Sequence, residues 1–349
     1  MVERIATAVG TPNIALIKYW GKRDDRLILP MNSSVSMTLD EQLNTRTSVL
    51  FSEKLQADTV YINGTVQDIN GTEVGERMVV LDILRGMAGD KRKALVVSNN
   101  QFPTGSGLAS SASGLATLTY AAAGALGLEL QPRELSMVAR RGSGSACRSM
   151  MGGIVEWRKG DKPDGSDSYA EQIIKPGEWP ELVDVMAILT ESRKKVSSRA
   201  GMKQTVQTGI LYRSRLDYVE GAVERAIDAM RKRDFQALGE LIMRDSMNMH
   251  ATMLDTWPPI MYLDDSSKEI IYKVQELNQS EGRIVGAYTF DAGSNANIIA
   301  LEKDVGKITD MLEGLGSVKN ILKLKMGNGP RRLGDGESLI DGTGLKPVA

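Results

Sequence analysis

The chain has 349 residues, enough for two hydrophobic cores that share a cleft. With 42% apolar residues, 25% charged residues and a formal net charge of -1, it does not have the balance of a general nucleic-acid binder, and no apolar run approaches a membrane span. A single cysteine, Cys147, excludes an intrachain disulfide, and a single histidine, His250, leaves almost no material for a histidine metal site or a Ser-His-Asp triad. "MVERIATAVG" carries no signal-peptide pattern, so a cytoplasmic protein is expected, with chemistry resting on Asp, Lys, Arg, Ser and bound phosphate. The 18 methionines read most simply as core filler.

In chain order, "RIATAVG", "SSVSMTL" and "NTRTSVLF" predict strands, and "DTVYINGTVQ" centres on Asn-Gly, a hairpin signal. "VGERMVVLDILRGMAG" has apolar residues at helical spacing and stops on glycine. "KALVVSNN" is a strand running into a Gly/Ser loop, "FPTGSGLASSASG", which opens an Ala-rich helix. Pro132 suits the start of the next helix, which ends at Gly142 in a second Gly/Ser turn. The polar stretch "KGDKPDGSDSYAEQ" precedes a strand, "LVDVMAILT", and the boundary expected there gives domains at 1–184 and 185–330. Beyond it, helices are predicted in "RLDYVEGAVERAIDAMRKRD", "FQALGELIMRDSMNMHATML", "SSKEIIYKVQELNQ" and near "DVGKITDMLEGL", with strands "GAYTFDAG", "NANIIAL" and "NILKLKMG". The Gly-rich tail, 331–349, is expected to be flexible.

Four stretches could carry chemistry. In the first loop a strand, a Gly/Ser turn and a helix start aim unpaired N–H groups and a positive helix end at an anion, with Ser106, Ser110 and Ser111 adding hydroxyls. It is neither a Walker A loop nor a Rossmann fingerprint, and composition alone also allows a capped solvent turn. "RRGSGSACRS" sets Ser143 and Ser145 beside Arg148, whose guanidinium could hold a carboxylate or phosphate through two parallel bonds; solvated arginines on a capped helix are the plainer alternative. "NIALIKYWGKRDD" crowds Lys18, Tyr19, Lys22 and Arg23 at a strand end, where solvated charges are the ordinary reading. "YTFDAGSNANIIA" puts Asp291 at the end of a strand, as a base, a metal ligand or merely a turn residue. His250 and Cys147 read as buried structural side chains.

Taken together, "TPNIALIKYWGKRDDRLILPMNSSVSMTL", "NNQFPTGSGLASSASG", "GSGSACRSMMGGIVEW", "VSSRAGM", "HATMLDTWPPI" and "YTFDAGSNA" resemble, in order, the mevalonate diphosphate decarboxylase family of the GHMP kinase superfamily. The resemblance covers about residues 5–330 and implies an α+β, GHMP-kinase-like two-domain fold. Its N-terminal domain would be ribosomal S5 domain 2-like, with a left-handed βαβ unit, and its C-terminal domain ferredoxin-like. A homodimer without nucleic-acid or membrane partners is implied as well. By resemblance, Tyr19, Trp20, Gly21, Lys22, Ser143, Gly144, Ser145, Arg148 and Arg199 would bind a phosphorylated mevalonate, with Arg148 on the departing carboxylate. Asp291, Lys22 and Arg199 would be catalytic, Asp291 lying beside the C3 oxygen. Pro103, Gly105, Ser106, Gly107, Ser110 and Ser111 would form the phosphate or nucleotide loop, and no protein metal site is expected.

Two departures bear on ATP: "TGSG" replaces the family's usual Thr-Ala-Ala-Gly, and Ser294 stands where proline is usual. They tilt the expected reaction towards an archaeal, ATP-independent branch that converts mevalonate 3,5-bisphosphate to isopentenyl phosphate and needs no cofactor. The alternatives are ATP- and Mg2+-dependent decarboxylation of mevalonate diphosphate or mevalonate phosphate, a mevalonate kinase-like phosphotransferase and a non-catalytic phosphate-binding paralogue.

Overall fold

The computed structural model describes residues 3–101, 110–189, 196–341 and 346–348. The N-terminal half holds a six-stranded sheet in the order Arg331–Arg332, Ile5–Gly10, Thr45–Ser52, Lys93–Asn100, Thr59–Ile62 and Thr65–Val66. All neighbours are antiparallel except Thr59–Ile62 and Lys93–Asn100, a parallel pair linked through the helices Glu73–Arg77 and Val79–Ala88. The Asn-Gly hairpin forms as its chemistry demands: Asn63 and Gly64 both take positive φ, 48° and 75°. The helices Val79–Ala88, Ser110–Ala125 and Pro132–Gly142 cover one face of this sheet, where Val49, Val96, Leu84, Ala122 and Val138 share a core.

A second, four-stranded sheet runs in the order Ala170–Ile174, Ile154–Trp157, Ser34–Thr38 and Asn13–Ile17. Its inner face packs against Tyr212–Lys232 and Phe235–Leu254, the two long helices of the C-terminal half, so that Leu16, Val35 and Ile154 join Val219, Leu238 and Ile242 in one core. The halves are therefore welded across a buried apolar interface.

The C-terminal sheet runs Gly286–Phe290, Ala296–Leu301, Leu182–Leu189, Val318–Lys325, antiparallel throughout. With Asp265–Glu281 and Val305–Glu313 as its crossover helices, this is the ferredoxin-like order. Strand alternation sends Val183, Val185, Ala187 and Leu189 towards those two helices, while Leu182 and Met186 face the long pair. The chain is thus a two-domain α+β protein, as expected.

Three details differ from the sequence reading. A boundary after residue 184 would cut the strand Leu182–Leu189, which lies whole in the C-terminal sheet; strand pairing on both sides puts the division before Leu182. The turn after Gly142 is a 3-10 helix, Gly144–Met150, wedged under the second sheet. The segment from 331 is partly anchored: Arg331 grips Glu41 through two 3.0 Å bonds, Arg331–Arg332 pairs with Ile5–Gly10, and Ile340 packs on Leu50, Leu95 and Val97. Among the described residues no helix is long and apolar enough to cross a membrane.

Candidate active site

Four segments meet at a cavity of about 450 Å³ between the two halves. The first leaves the strand Asn13–Ile17, buried along its whole length, and delivers Lys18 at its end. Lys18 is itself buried, and its Nζ lies 2.7 Å from Asp291 Oδ1. Tyr19 packs edge-on to Trp157, with ring centroids 4.7 Å apart. Trp20 is buried, donating from Nε1 to Thr205 Oγ1 at 3.0 Å, and its carbonyl accepts Tyr212 Oη at 2.6 Å. Gly21 then turns at φ +93°, where a Cβ would fall 1.9 Å from that tyrosine oxygen, so only glycine lets the chain swing Lys22 into the cavity wall. Lys22 is ion-paired with Asp25. Arg23, by contrast, donates to the carbonyls of Pro30 and Lys159, both at 2.9 Å, and braces the strand pair outside the cavity.

The second segment follows Pro132–Gly142, a helix started by a capping box between Gln131 and Glu134. The 3-10 turn after it puts Ser143, Gly144, Ser145 and Arg148 on the cavity wall. A Cβ on Gly144 would meet the Trp157 ring at 2.8 Å and Tyr19 at 2.9 Å, so its absence lets these rings seat against the turn. Arg148 is held from behind: Nε donates to Asn13 Oδ1 at 3.3 Å and Nη1 to Ser34 Oγ at 2.8 Å. Asn13 in turn donates to Ser145 O at 3.1 Å and Ser149 Oγ at 2.8 Å, tying the strand to the turn.

Arg199 comes from the third segment, the helix Ser198–Thr208, which Ser197 caps by accepting from Ala200 N. Its Nη2 donates to Gly142 O at 2.8 Å and its Nη1 to Glu76 at 2.9 Å, bridging the cavity mouth to the other half. The fourth segment is the strand Gly286–Phe290, which places Asp291 at its end in a tight turn where Gly293 N donates to Asp291 O at 2.7 Å. Ser294, at the usual proline position, accepts from Ser267 Oγ through its carbonyl at 3.0 Å.

Lys18, Lys22, Arg77, Arg148 and Arg199 face only Glu73 and Asp291 across the described wall, which makes a receptor for a polyanion. Burial raises the Tyr19 phenol far above its ordinary value and the Cys147 thiol to about 11; it also pushes the His250 imidazole down to about 4. Tyr19 therefore stays a neutral donor, and neither His250 nor Cys147 supplies a charged group at neutral pH. Burial lowers the Arg148 pKa too, although a guanidinium stays charged at any working pH.

The structure brings together Tyr19, Trp20, Lys22, Ser143, Gly144, Ser145, Arg148, Arg199 and Asp291, with Ser111 at the start of the helix Ser110–Ala125. Pro103, Gly105, Ser106 and Gly107 lie outside the described residues, and Ser110 is described only as part of that helix. Sequence reading saw Lys18 but gave it no role, and it passed over Asn13, Arg77 and Glu73. A lysine directly continuing the apolar run 14–17 was the available signal, because a buried ammonium requires a partner.

A family described as "Diphosphomevalonate decarboxylase-like N-terminal domain" matches residues 10–170, and one described as "Mevalonate 5-diphosphate decarboxylase C-terminal domain" matches 185–327. The chain belongs to the diphosphomevalonate decarboxylase family. Across 99% of this chain and 98% of the relative it is 38% identical to the diphosphomevalonate decarboxylase of Bos taurus. The solved mevalonate diphosphate decarboxylase of Staphylococcus aureus superposes with a TM-score of 0.88 at 36% identity, covering 95% of this chain and 99% of that one. A structure described as "MDDEF in complex with MVAPP, AMPPCP and Magnesium" superposes with a TM-score of 0.87 at 38% identity, with the same coverage. As a member of this decarboxylase family the protein is a carboxy-lyase.

Proposed function

We propose that the protein is the ATP-dependent diphosphomevalonate decarboxylase, converting mevalonate 5-diphosphate and ATP to isopentenyl diphosphate, ADP, phosphate and CO2. The observation that carries this reading is the Lys18–Asp291 pair set in a cation-lined cavity, in a chain that aligns almost end to end with relatives bearing that name. The ATP-independent 3,5-bisphosphate reaction and its archaeal branch lose their footing. Ser294 contributes a carbonyl to a helix start, and a structural neighbour at 38% identity was solved with AMPPCP and magnesium.

On this reading Lys22, Ser143, Ser145 and Arg199 hold the substrate diphosphate and Arg148 grips its C1 carboxylate. Asp291, oriented by Lys18, accepts the C3 hydroxyl as a hydrogen-bond donor and takes its proton as that oxygen is phosphorylated. Asp291, whose side chain is 39% exposed, passes that proton on to solvent, and when the C3–O bond then breaks its restored carboxylate lies against the developing positive charge at C3. The C1–C2 electron pair becomes the C2–C3 double bond, CO2 leaves, and phosphate departs from C3. The start of the helix Ser110–Ala125, with Ser111 on the wall, is suited to nucleotide phosphates. Mg2+ would supply charge neutralisation for the nucleotide phosphates, and Glu73, the wall carboxylate outside the Lys18–Asp291 pair, would hold it only on release from its bond to Arg77.

The reading includes a cytoplasmic homodimer, whose mass light scattering would report. Its decisive test is CO2 release from mevalonate 5-diphosphate and from mevalonate 3,5-bisphosphate, each with and without ATP and Mg2+. Release from the diphosphate only with both additions is expected. Release from the bisphosphate without ATP, or ATP consumption without CO2, would overturn it.

A further inference from the structure

Among the described cavity cations, only Lys18 has both its backbone N–H and its carbonyl held by one fully buried ion pair. Its N–H donates to Asp245 Oδ2 at 2.6 Å, and its carbonyl accepts Arg215 Nη2 at 3.0 Å. Arg215 Nη1 closes the loop onto Asp245 Oδ1 at 3.0 Å and also donates to Asn248 Oδ1 at 2.7 Å. Both charged side chains have no exposed surface. Asn32 Nδ2 adds a second donor to the Lys18 carbonyl at 2.9 Å. The grip comes from the first turn of the helix Tyr212–Lys232 and the middle of the helix Phe235–Leu254, whereas the strand it grips belongs to the other half of the molecule.

We propose that Arg215 and Asp245 are positioning residues for Lys18, fixing its backbone so that Nζ meets Asp291 at the reacting centre. Neither residue lines the cavity, so neither is placed to touch substrate. A buried ion pair is a poor source of stability, since apolar residues of similar volume commonly do as well in its place. What this pair supplies, and an apolar pair could not, is an acceptor and a donor that hold the two peptide units flanking the Lys18 Cα. A lysine side chain has four rotatable bonds, and an ammonium on a wandering backbone would sample many positions. With the backbone held on both sides of the Cα, only the side-chain torsions remain, and these are confined by burial. The long helices of the C-terminal half thus hold the backbone of the cavity lysine in the N-terminal half.

The inference rests on the decarboxylase reading for its kinetic readout and on geometry for its second readout. The first variant replaces the pair together, Arg215→Met with Asp245→Leu, which leaves no lone buried charge. CO2 release from mevalonate 5-diphosphate should fall in kcat by roughly 10²-fold, the size of a displacement of about 1 Å at a reacting centre. KM should stay within about threefold of wild type, because the phosphate-holding groups sit on other segments. A folded double variant with wild-type kcat, or one that loses only KM, overturns the proposal. Should the double variant not fold, Arg215→Lys serves: its point charge can keep Asp245 but cannot also reach the Lys18 carbonyl and Asn248, and a kcat equal to wild type again overturns it. A crystal structure of either folded variant reads the geometry whatever substrate is turned over. Lys18 Nζ displaced from hydrogen-bond distance of Asp291 supports the proposal, and an unmoved pair defeats it.

Discussion

Lys18 Nζ and Asp291 Oδ1 are 273 residues apart in sequence and 2.7 Å apart in space. Each stands at the end of a strand, Asn13–Ile17 in one half of the molecule and Gly286–Phe290 in the other, so the charged centre of the cavity joins the two halves. Asp291→Asn should lower kcat by roughly 10²–10⁴-fold with far-UV circular dichroism unchanged, the range for losing a positioned proton acceptor. Lys18→Met should cost a similar factor, and the double variant little more than either alone, because the two act as a unit. Additive losses in a double-mutant cycle of kcat would show that they act separately.

For Arg148 the surroundings specify a guanidinium. Its Nε and Nη1 are bonded to Asn13 and Ser34 behind it, and a lysine cannot hold both while also reaching a carboxylate. Arg148→Lys should therefore reduce kcat/KM by roughly 10²-fold or more, as expected when charge-assisted hydrogen bonds are lost. Steady-state kinetics with mevalonate 5-diphosphate and ATP would check this, and a change under threefold would contradict it.

At Gly144 the constraint is space. The Cβ of an alanine would sit 2.8 Å from the Trp157 ring and 2.9 Å from Tyr19, so one ring has to move. Gly144→Ala should destabilise the fold by about 1–3 kcal/mol and raise KM for the phosphorylated substrate, since Tyr19 lines the cavity. Thermal unfolding and KM measured on the same sample would test both parts.

Asp184 predicts a pH effect of unusual sign. It is fully buried on the strand Leu182–Leu189, both carboxyl oxygens lack a hydrogen-bond partner, and burial pushes its pKa from 3.8 up to about 8. Between those values the folded protein keeps a proton that the unfolded chain has lost. Its contribution to stability therefore declines as pH rises from about 4 to about 8, and levels off above that. Asp184→Val should remove this slope and raise stability near pH 7 by about 1–3 kcal/mol, the cost of an unpaired buried polar group. Urea unfolding of both proteins at pH 5 and pH 8 should show the gap widening with pH; a constant gap would mean that Asp184 does not titrate in the fold.

Much of the site is legible from residue types and local spacing. Gly/Ser turns beside arginines announce an anion, and Ser143, Ser145 and Arg148 within six positions fall on one turn because the chain can place them nowhere else. The Asn63-Gly64 hairpin and the capped helices follow from turn chemistry in the same way, whereas the ferredoxin-like order of the C-terminal half is implied only by the family resemblance. The anchoring of the tail by Arg331 and Ile340 was not legible, because a Gly-rich segment shows its fixed points only once the sheet it docks on exists.

By itself the sequence determined which groups would handle charge: lysines, arginines and serines in short clusters, with one aspartate after a strand and almost no histidine. Only the tertiary structure decided that Lys18 belongs to Asp291 and that Asp245 and Arg215 hold its backbone N–H and carbonyl. The reason is range. Turn and helix preferences act over a few residues and are written locally, whereas a buried ammonium takes its partner from whatever the packing of two sheets and two long helices brings within hydrogen-bond distance.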